Sequence, residues 1–386
     1  MEAKYIFKND NRIPELGLLV TVGARTWGEE IDQYLVEWAR GTSKERDTFI
    51  VDCECPRFAS GDAKGLIRES IRGRDLFILV DTGNYNCTYP LFGYENHMSP
   101  DDHIADVKRL IQATSGKAHS LTVIMPNLYG GRQHRRNYRE SLDCAYALQE
   151  LQAMGVSNVI CFDAHDPRVA NAVPLMGFDS IMPQYQVLKA LLRDFKDLQL
   201  DPEHFMVVSP DEGAMNRNMY YSSVLAVSLG MFYKRRDYSR IVNGMNPIQA
   251  HEYLGDSVEG KDIFVADDII SSGSSVLDLS YQLKARKAKR VFAYATYAIF
   301  TDGLEKFDKA YADGIIDGVL GTNLTYQSPD MLARPWFHTV DCSKYCAYII
   351  AALNHQTSIG EIIDPHEKIV NLLNRYTAQQ AAAAAQ

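Results

Sequence analysis

Residues 261–275 read KDIFVADDIISSGSS: an apolar run, two acids, a loop of small residues and the start of a helix. Ile263, Phe264, Val265 and Ala266 have the length and composition of a buried strand. Asp267 and Asp268 close that strand. Ser271, Ser272, Gly273, Ser274 and Ser275 follow, and Val276, Leu279 and Leu283 then recur on one helical face. Small residues at the head of a helix let backbone N–H groups and serine hydroxyls approach a phosphate at the positive end of the helix dipole. The paired acids suit a neutral partner rich in hydroxyls, so a ribose 5-phosphate satisfies both halves of the stretch. A strand-to-helix turn with a serine N-cap would give the same local pattern with no ligand.

The same alternation spreads in both directions. Before the acid pair, strands are expected at 17–22, 49–51, 76–80, 121–125, 158–162, 205–209 and 231–233. Helices are expected at 27–40, 102–114, 139–153, 185–195 and 217–229. Beyond it, strands are expected at 291–295, near 314–320 and at 336–340, with an apolar helix at 343–354. Residues 84–97, rich in Tyr, Asn and Gly and without period, are expected to be a loop. Strands alternating with helices imply βαβ units and parallel sheets, and two such runs imply two α/β domains of doubly wound type. The expected division is 1–183, 184–340, and a closing helix with a low-complexity tail at 341–386.

Composition narrows the possible partners. A net charge of -9 argues against nucleic acid as the main partner. No apolar run reaches the length of a membrane span. Seven cysteines, an odd number and scattered, together with a polar N-terminus, suit a reducing cytoplasm.

Four polar clusters fall at expected strand ends, where open α/β sheets bind ligands. Arg132, Arg135 and Arg136 lie in NLYGGRQHRR; guanidinium groups there can bind phosphate oxygens in bidentate fashion, although a solubilising loop has the same composition. CFDAHDPR places His165 beside carboxylates, suited to a divalent cation, to proton transfer or to a structural role. VVSPDEGAMNR ends a strand at Asp211, with Gly213 allowing the backbone to turn towards a ligand. Lys234, Arg235 and Arg236 then precede a long polar stretch, as a charge-neutralising loop or as a solvated charge run. His338, Cys342 and Cys346 recur at four-residue spacing, but no fourth ligand follows, so tightly bound zinc is not expected.

In this order the clusters resemble the ribose-phosphate diphosphokinase (PRPP synthetase) family over most of residues 17–362. ADDIISSGSS resembles its PRPP-binding loop. Arg57-Phe58-Ala59-Ser60-Gly61-Asp62 resembles its adenine-binding turn, and Glu69-Ser70-Ile71-Arg72-Gly73 the segment that follows. Gly130 to Arg135 is similar to Tyr-Ala-Arg-Gln-Asp-Arg, Asp163-Ala164-His165 to Asp-Leu-His, and Ser209 to Gly213 to Ser-Pro-Asp-x-Gly. Lys234 and Arg236 match the catalytic pair of its flexible loop. The chain departs at Ser60, where the family has Asp, at Asp62, where it has Glu, and at His134, where it has Asp.

The resemblance implies two doubly wound parallel-sheet domains of phosphoribosyltransferase-like type and transfer of the β,γ-diphosphoryl group of ATP to the C1 hydroxyl of ribose 5-phosphate. Lys234 and Arg236 are then catalytic. Asp267, Asp268 and Ser271 to Ser275 hold the sugar phosphate. Phe58, Ser60, Asp62, Arg132 and Gln133 hold ATP, while His165 and Asp211 hold Mg²⁺. A homo-oligomer, dimer or hexamer, with a shared nucleotide site is also implied. A catalytically silent regulatory subunit and a phosphoribosyltransferase are the alternatives.

Overall fold

The structure is a computed structural model and describes residues 12–136, 138–236 and 248–384. The chain divides into two compact units. The first runs to Pro183 and takes in Asn323–Tyr326 and Asp341–Asp364; the second holds Gln184–Thr322, Gln327–Val340 and the chain from Pro365 onwards. The closing segment expected as one piece at 341–386 is therefore shared between the two units.

The first unit is built on a five-stranded sheet in the order Leu16–Val20, Asp75–Leu79, Ser120–Ile124, Asn158–Phe162 and Gly177–Ile181, with every pair parallel. The sequences LGLLV and DLFIL are buried at every position, as a parallel sheet covered on both faces requires. Helices Arg25–Ala39, Pro100–Thr114 and Asp143–Ala153 supply the cover. The second of these begins in a capping box, in which Ser99 and Asp102 satisfy each other's backbone N–H groups.

Several features depart from the expected pattern, among them a short antiparallel pair, Cys53–Glu54 with Leu66–Ile67. Residues 49–51 form no strand and meet the sheet through a single parallel bridge, Leu18 to Ile50. Gly177–Ile181 is an additional edge strand. The stretch 84–97, expected to be a loop, contains a β-hairpin, Thr88–Leu91 against Tyr94–His97. Its turn is Phe92-Gly93, without the Asn that usually signals a tight hairpin, and Pro90 interrupts the first strand's pattern.

Among the described residues the second unit has seven strands in the order Ile248–Leu254, Ser228–Arg236, Phe205–Ser209, Asp262–Ile270, Arg290–Ala298, Gly318–Thr322 and Phe337–Val340. All pairs are parallel except the edge pair, Ser228–Arg236 with Ile248–Leu254, which is antiparallel. That edge strand was not expected, nor was helix Glu305–Ala312. The strand expected at 231–233 runs on through Arg236, so the basic trio lies within a strand; residues 237–247 of the polar stretch lie outside the described residues. The terminal helix His366–Ala384 buries Ile369 and sets Tyr376, whose hydroxyl donates to the Leu198 carbonyl at 3.0 Å.

Candidate active site

The acid pair stands near the carboxyl end of the central strand Asp262–Ile270, which continues past the acids to Ile270 instead of stopping at them. Pairing with Phe205–Ser209 ends at Val207 and Phe264. Beyond that point a side chain replaces the ladder. Asn218, fully buried on helix Met215–Leu225, donates from Nδ2 to the Ala266 carbonyl at 2.7 Å and accepts the Ala266 N–H at 3.1 Å. Its Nδ2 also lies 3.3 Å from Ser209 Oγ. The strand is thus fixed one residue before Asp267, where an unpaired N–H and C=O would otherwise be buried.

Asp268 donates its backbone N–H to Asp267 Oδ1 at 2.9 Å, and Arg217 Nη1 lies 3.7 Å from the same oxygen. Burial, and secondarily the negative charge of Asp268, raises the Asp267 pKa, with Arg217 acting in opposition. Sequence reading gave no role to Arg217 or Asn218. Arg217 closes the stretch VVSPDEGAMNR and Asn218 follows it, whereas only Asp211 and Gly213 of that stretch carry a recognisable signal.

The serine loop follows at once. Gly273, with φ +77°, is the N-cap of helix Ser274–Ala285 and brings no capping side chain of its own; the Ser274 N–H reaches only Ser272 Oγ, at a long 3.5 Å. A Cβ on Gly273 would run into the buried Phe307 ring, and together with the positive φ this calls for glycine here. Ser271 and Ser272 are half-buried, and Ser274 and Ser275 are exposed. The Ser271 carbonyl accepts the Thr301 N–H at 2.9 Å, tying the loop to the end of the neighbouring strand.

Elsewhere in this unit, Asp211 Oδ1 accepts the Ala214 N–H at 3.1 Å, and its carbonyl accepts from Ser209 Oγ at 2.8 Å. Lys234 and Arg236 lie opposite His251 and Ile248 in the antiparallel ladder, with a register shift between Arg235 and Arg236.

In the first unit the turn at 58–62 is closed by the Phe58 N–H to the Asp62 carbonyl at 2.7 Å and the Gly61 N–H to the Phe58 carbonyl at 2.8 Å. Ser60 Oγ donates to Asp62 Oδ2 at 2.9 Å, so two of the three departures from the family pattern are bonded to each other. The Phe58 side chain remains exposed. Behind the turn, buried Arg57 pairs with buried Asp106 at 3.0 Å, and its guanidinium lies 4.9 Å from the Tyr89 ring centroid. These residues line a cavity of about 320 Å³ together with Thr21, Arg25 and Cys53.

Arg132 is exposed, whereas Gln133 is committed to its own loop: Nε2 donates to the Ser141 carbonyl at 2.9 Å. His134 meets His165, with ring centroids 5.3 Å apart, and its Nε2 lies 3.4 Å from Asp166 Oδ2. Hydrogen bonding from Arg168, ahead of its charge, lowers the Asp166 pKa to about 2. His165 itself is exposed.

His165 and Asp211 belong to different units. Among the described residues no group of three or more His, Cys, Asp or Glu side chains is arranged to hold a metal ion. The Asp211 carboxylate suits Mg²⁺, which takes few protein ligands and completes its shell with water and phosphate oxygens, and the His165 imidazole is the less typical donor for that ion. His338 is engaged by Asp194 at 3.2 Å in the second unit, while Cys342 and Cys346 are buried thiols of the first, their pKa values raised by burial.

Two family models match in succession. Residues 21–155 match the N-terminal domain of ribose phosphate pyrophosphokinase, and residues 180–315 match the phosphoribosyl transferase domain. A ribose-phosphate pyrophosphokinase of Vibrio parahaemolyticus is 28% identical over 317 residues, covering 81% of this chain and 91% of the relative. The Shewanella oneidensis protein of the same name is 29% identical over 314 residues, covering 80% and 90%. The crystal structure of phosphoribosylpyrophosphate synthetase from Mycobacterium smegmatis superimposes with a TM-score of 0.70 at 19% identity, covering 88% of this chain and 99% of that one, a likeness of fold. With both domain models in order along one chain, and the acid pair and serine loop standing at the end of a central strand, the chain belongs to the ribose-phosphate diphosphokinase (PRPP synthetase) family.

Proposed function

We propose that the protein transfers the β,γ-diphosphoryl group of ATP to ribose 5-phosphate, giving PRPP and AMP. The observation that carries this reading is the central strand that leads two carboxylates into a small-residue loop and a helix start whose N-cap is Gly273. The carboxylates receive the ribose hydroxyls, and the loop and first helical turn receive the 5-phosphate. The C1 hydroxyl oxygen attacks the β-phosphorus and gives up its proton to solvent, the bond from the β-phosphorus to the α,β-bridging oxygen breaks, and AMP leaves with that oxygen. Such chemistry rests on positioning and charge neutralisation. Lys234 and Arg236 neutralise charge on the moving group. Phe58, Ser60, Asp62, Arg132 and Gln133 serve the nucleotide. His165 and Asp211 would hold Mg²⁺, which neutralises charge on the triphosphate oxygens.

A phosphoribosyltransferase would not account for the match of residues 21–155 to a diphosphokinase N-terminal domain. Against a silent regulatory subunit, the turn at 58–62 keeps its closing hydrogen bonds despite Ser60. We further propose a homo-oligomer acting in the cytoplasm; all seven cysteines are free, and no helix among the described residues is long and apolar enough to cross a membrane.

Asp268→Ala tests the carrying observation. Calorimetric titration should show ribose 5-phosphate binding weakened at least tenfold while ATP binding is retained, about the loss expected for one hydrogen bond to a charged group. Unchanged sugar-phosphate affinity would remove the acid pair from the site.

A further inference from the structure

The hairpin Thr88–Leu91 with Tyr94–His97 has no part in the reading above. Its turn residues Phe92 and Gly93 both have positive φ, 48° and 83°, the geometry that Asn-Gly fills most readily. A phenylalanine there is crowded by its own Cβ. Its side chain, 76% exposed, gains little from burial, and that of Tyr94 is 78% exposed. The hairpin is nevertheless firmly attached. The Phe92 N–H donates to the Ala59 carbonyl at 2.9 Å. Leu91 occupies the space a Cβ on Gly61 would need, at 2.6 Å, and the Tyr89 ring covers Arg57. An unfavourable residue is therefore held, ring outwards, against the turn whose own Phe58 is 55% exposed.

We propose that the hairpin tip extends the nucleotide end of the site, with Phe92 offering an aromatic face to the purine base of ATP. The inference rests on the reading of 58–62 as a nucleotide turn. Stacking on a flat base would cover the exposed ring and favour a donor carrying a base over a bare triphosphate.

The test compares ATP with inorganic tripolyphosphate by calorimetry on the full chain, in the parent and in Phe92→Asn. Asparagine suits this turn better than phenylalanine, so the thermal midpoint should hold or rise. ATP affinity should fall about fivefold or more, the loss expected for one stacked base, with tripolyphosphate affinity unchanged. ATP affinity that stays the same, or that falls only together with a change of oligomeric state in sedimentation, overturns the proposal and makes the face a structural or chain-to-chain contact. Binding is read without turnover, so a parent chain that made no PRPP would count against the reaction and leave the stacking result to stand by itself.

Discussion

Asp267 is half-buried beside a second carboxylate, and both burial and that neighbour raise its pKa. Without bound ligand, the folded state therefore holds this proton more tightly than the unfolded chain does. The sign follows from linkage: the contribution is fully present below the unfolded value, near 3.9, and is lost as pH rises through the raised folded value. Asp267→Asn should raise the thermal midpoint at pH 8 by a few degrees, about what 1 kcal/mol gives in a domain of this size, and change it little at pH 4. It should also weaken ribose 5-phosphate binding. Scanning calorimetry at the two pH values checks the first part, and an equal shift at both would contradict it. The acids stand out in the sequence as candidates because two adjacent carboxylates close an apolar run and a small-residue loop follows them. Asn218 could not, because its role depends on two strands parting at a point that only the fold defines. His134 was noted as a departure, but its place beside His165 depends on a loop whose path carries no local signal.

Elements with two covered faces were the easiest to read. FMVVS and NVICF are apolar runs, and the strands begin and end where those runs do. Two edge strands, Gly177–Ile181 and Ile248–Leu254, were missed because an edge need not be apolar: GFDSI and IQAHEYL mix polar and apolar residues without a clear alternation, whereas the edges Leu16–Val20 and Phe337–Val340 carry apolar residues and were expected. The missed edge at Ile248–Leu254 changes the setting of the basic trio from the end of a strand to the inside of a two-stranded antiparallel ribbon. If Lys234 and Arg236 engage the diphosphoryl group chiefly in the transition state, replacing either with alanine should lower kcat about 10²- to 10³-fold with little change in KM. Alternation along a regular strand would make Arg235→Ala an inert control. The register shift between Arg235 and Arg236 interrupts that alternation, so the informative comparison is between Lys234→Ala and Arg236→Ala. Wild-type kcat in both, from steady-state assays, would remove the ribbon from catalysis.

At the scale of the molecule, the two-unit plan was legible because βα alternation runs twice along the chain. The return of Asn323–Tyr326 and Asp341–Asp364 to the first unit was not, since contacts and not sequence order decide it. Within that unit, buried Asp81 accepts the Tyr326 N–H at 2.7 Å, and Asn354 Nδ2 donates to Asp75 Oδ2 at 3.0 Å. Buried polar pairs of this kind fix chain segments far apart in sequence, and no periodicity announces them. The most direct test of the proposed reaction follows the β-phosphorus. The full chain is incubated with ATP labelled at that atom, ribose 5-phosphate, Mg²⁺ and inorganic phosphate, and the products are separated. The label should appear in PRPP, with one unlabelled AMP formed for each PRPP. Label released only as inorganic phosphate or ADP, or left in ATP with no PRPP formed, would contradict the proposed transfer.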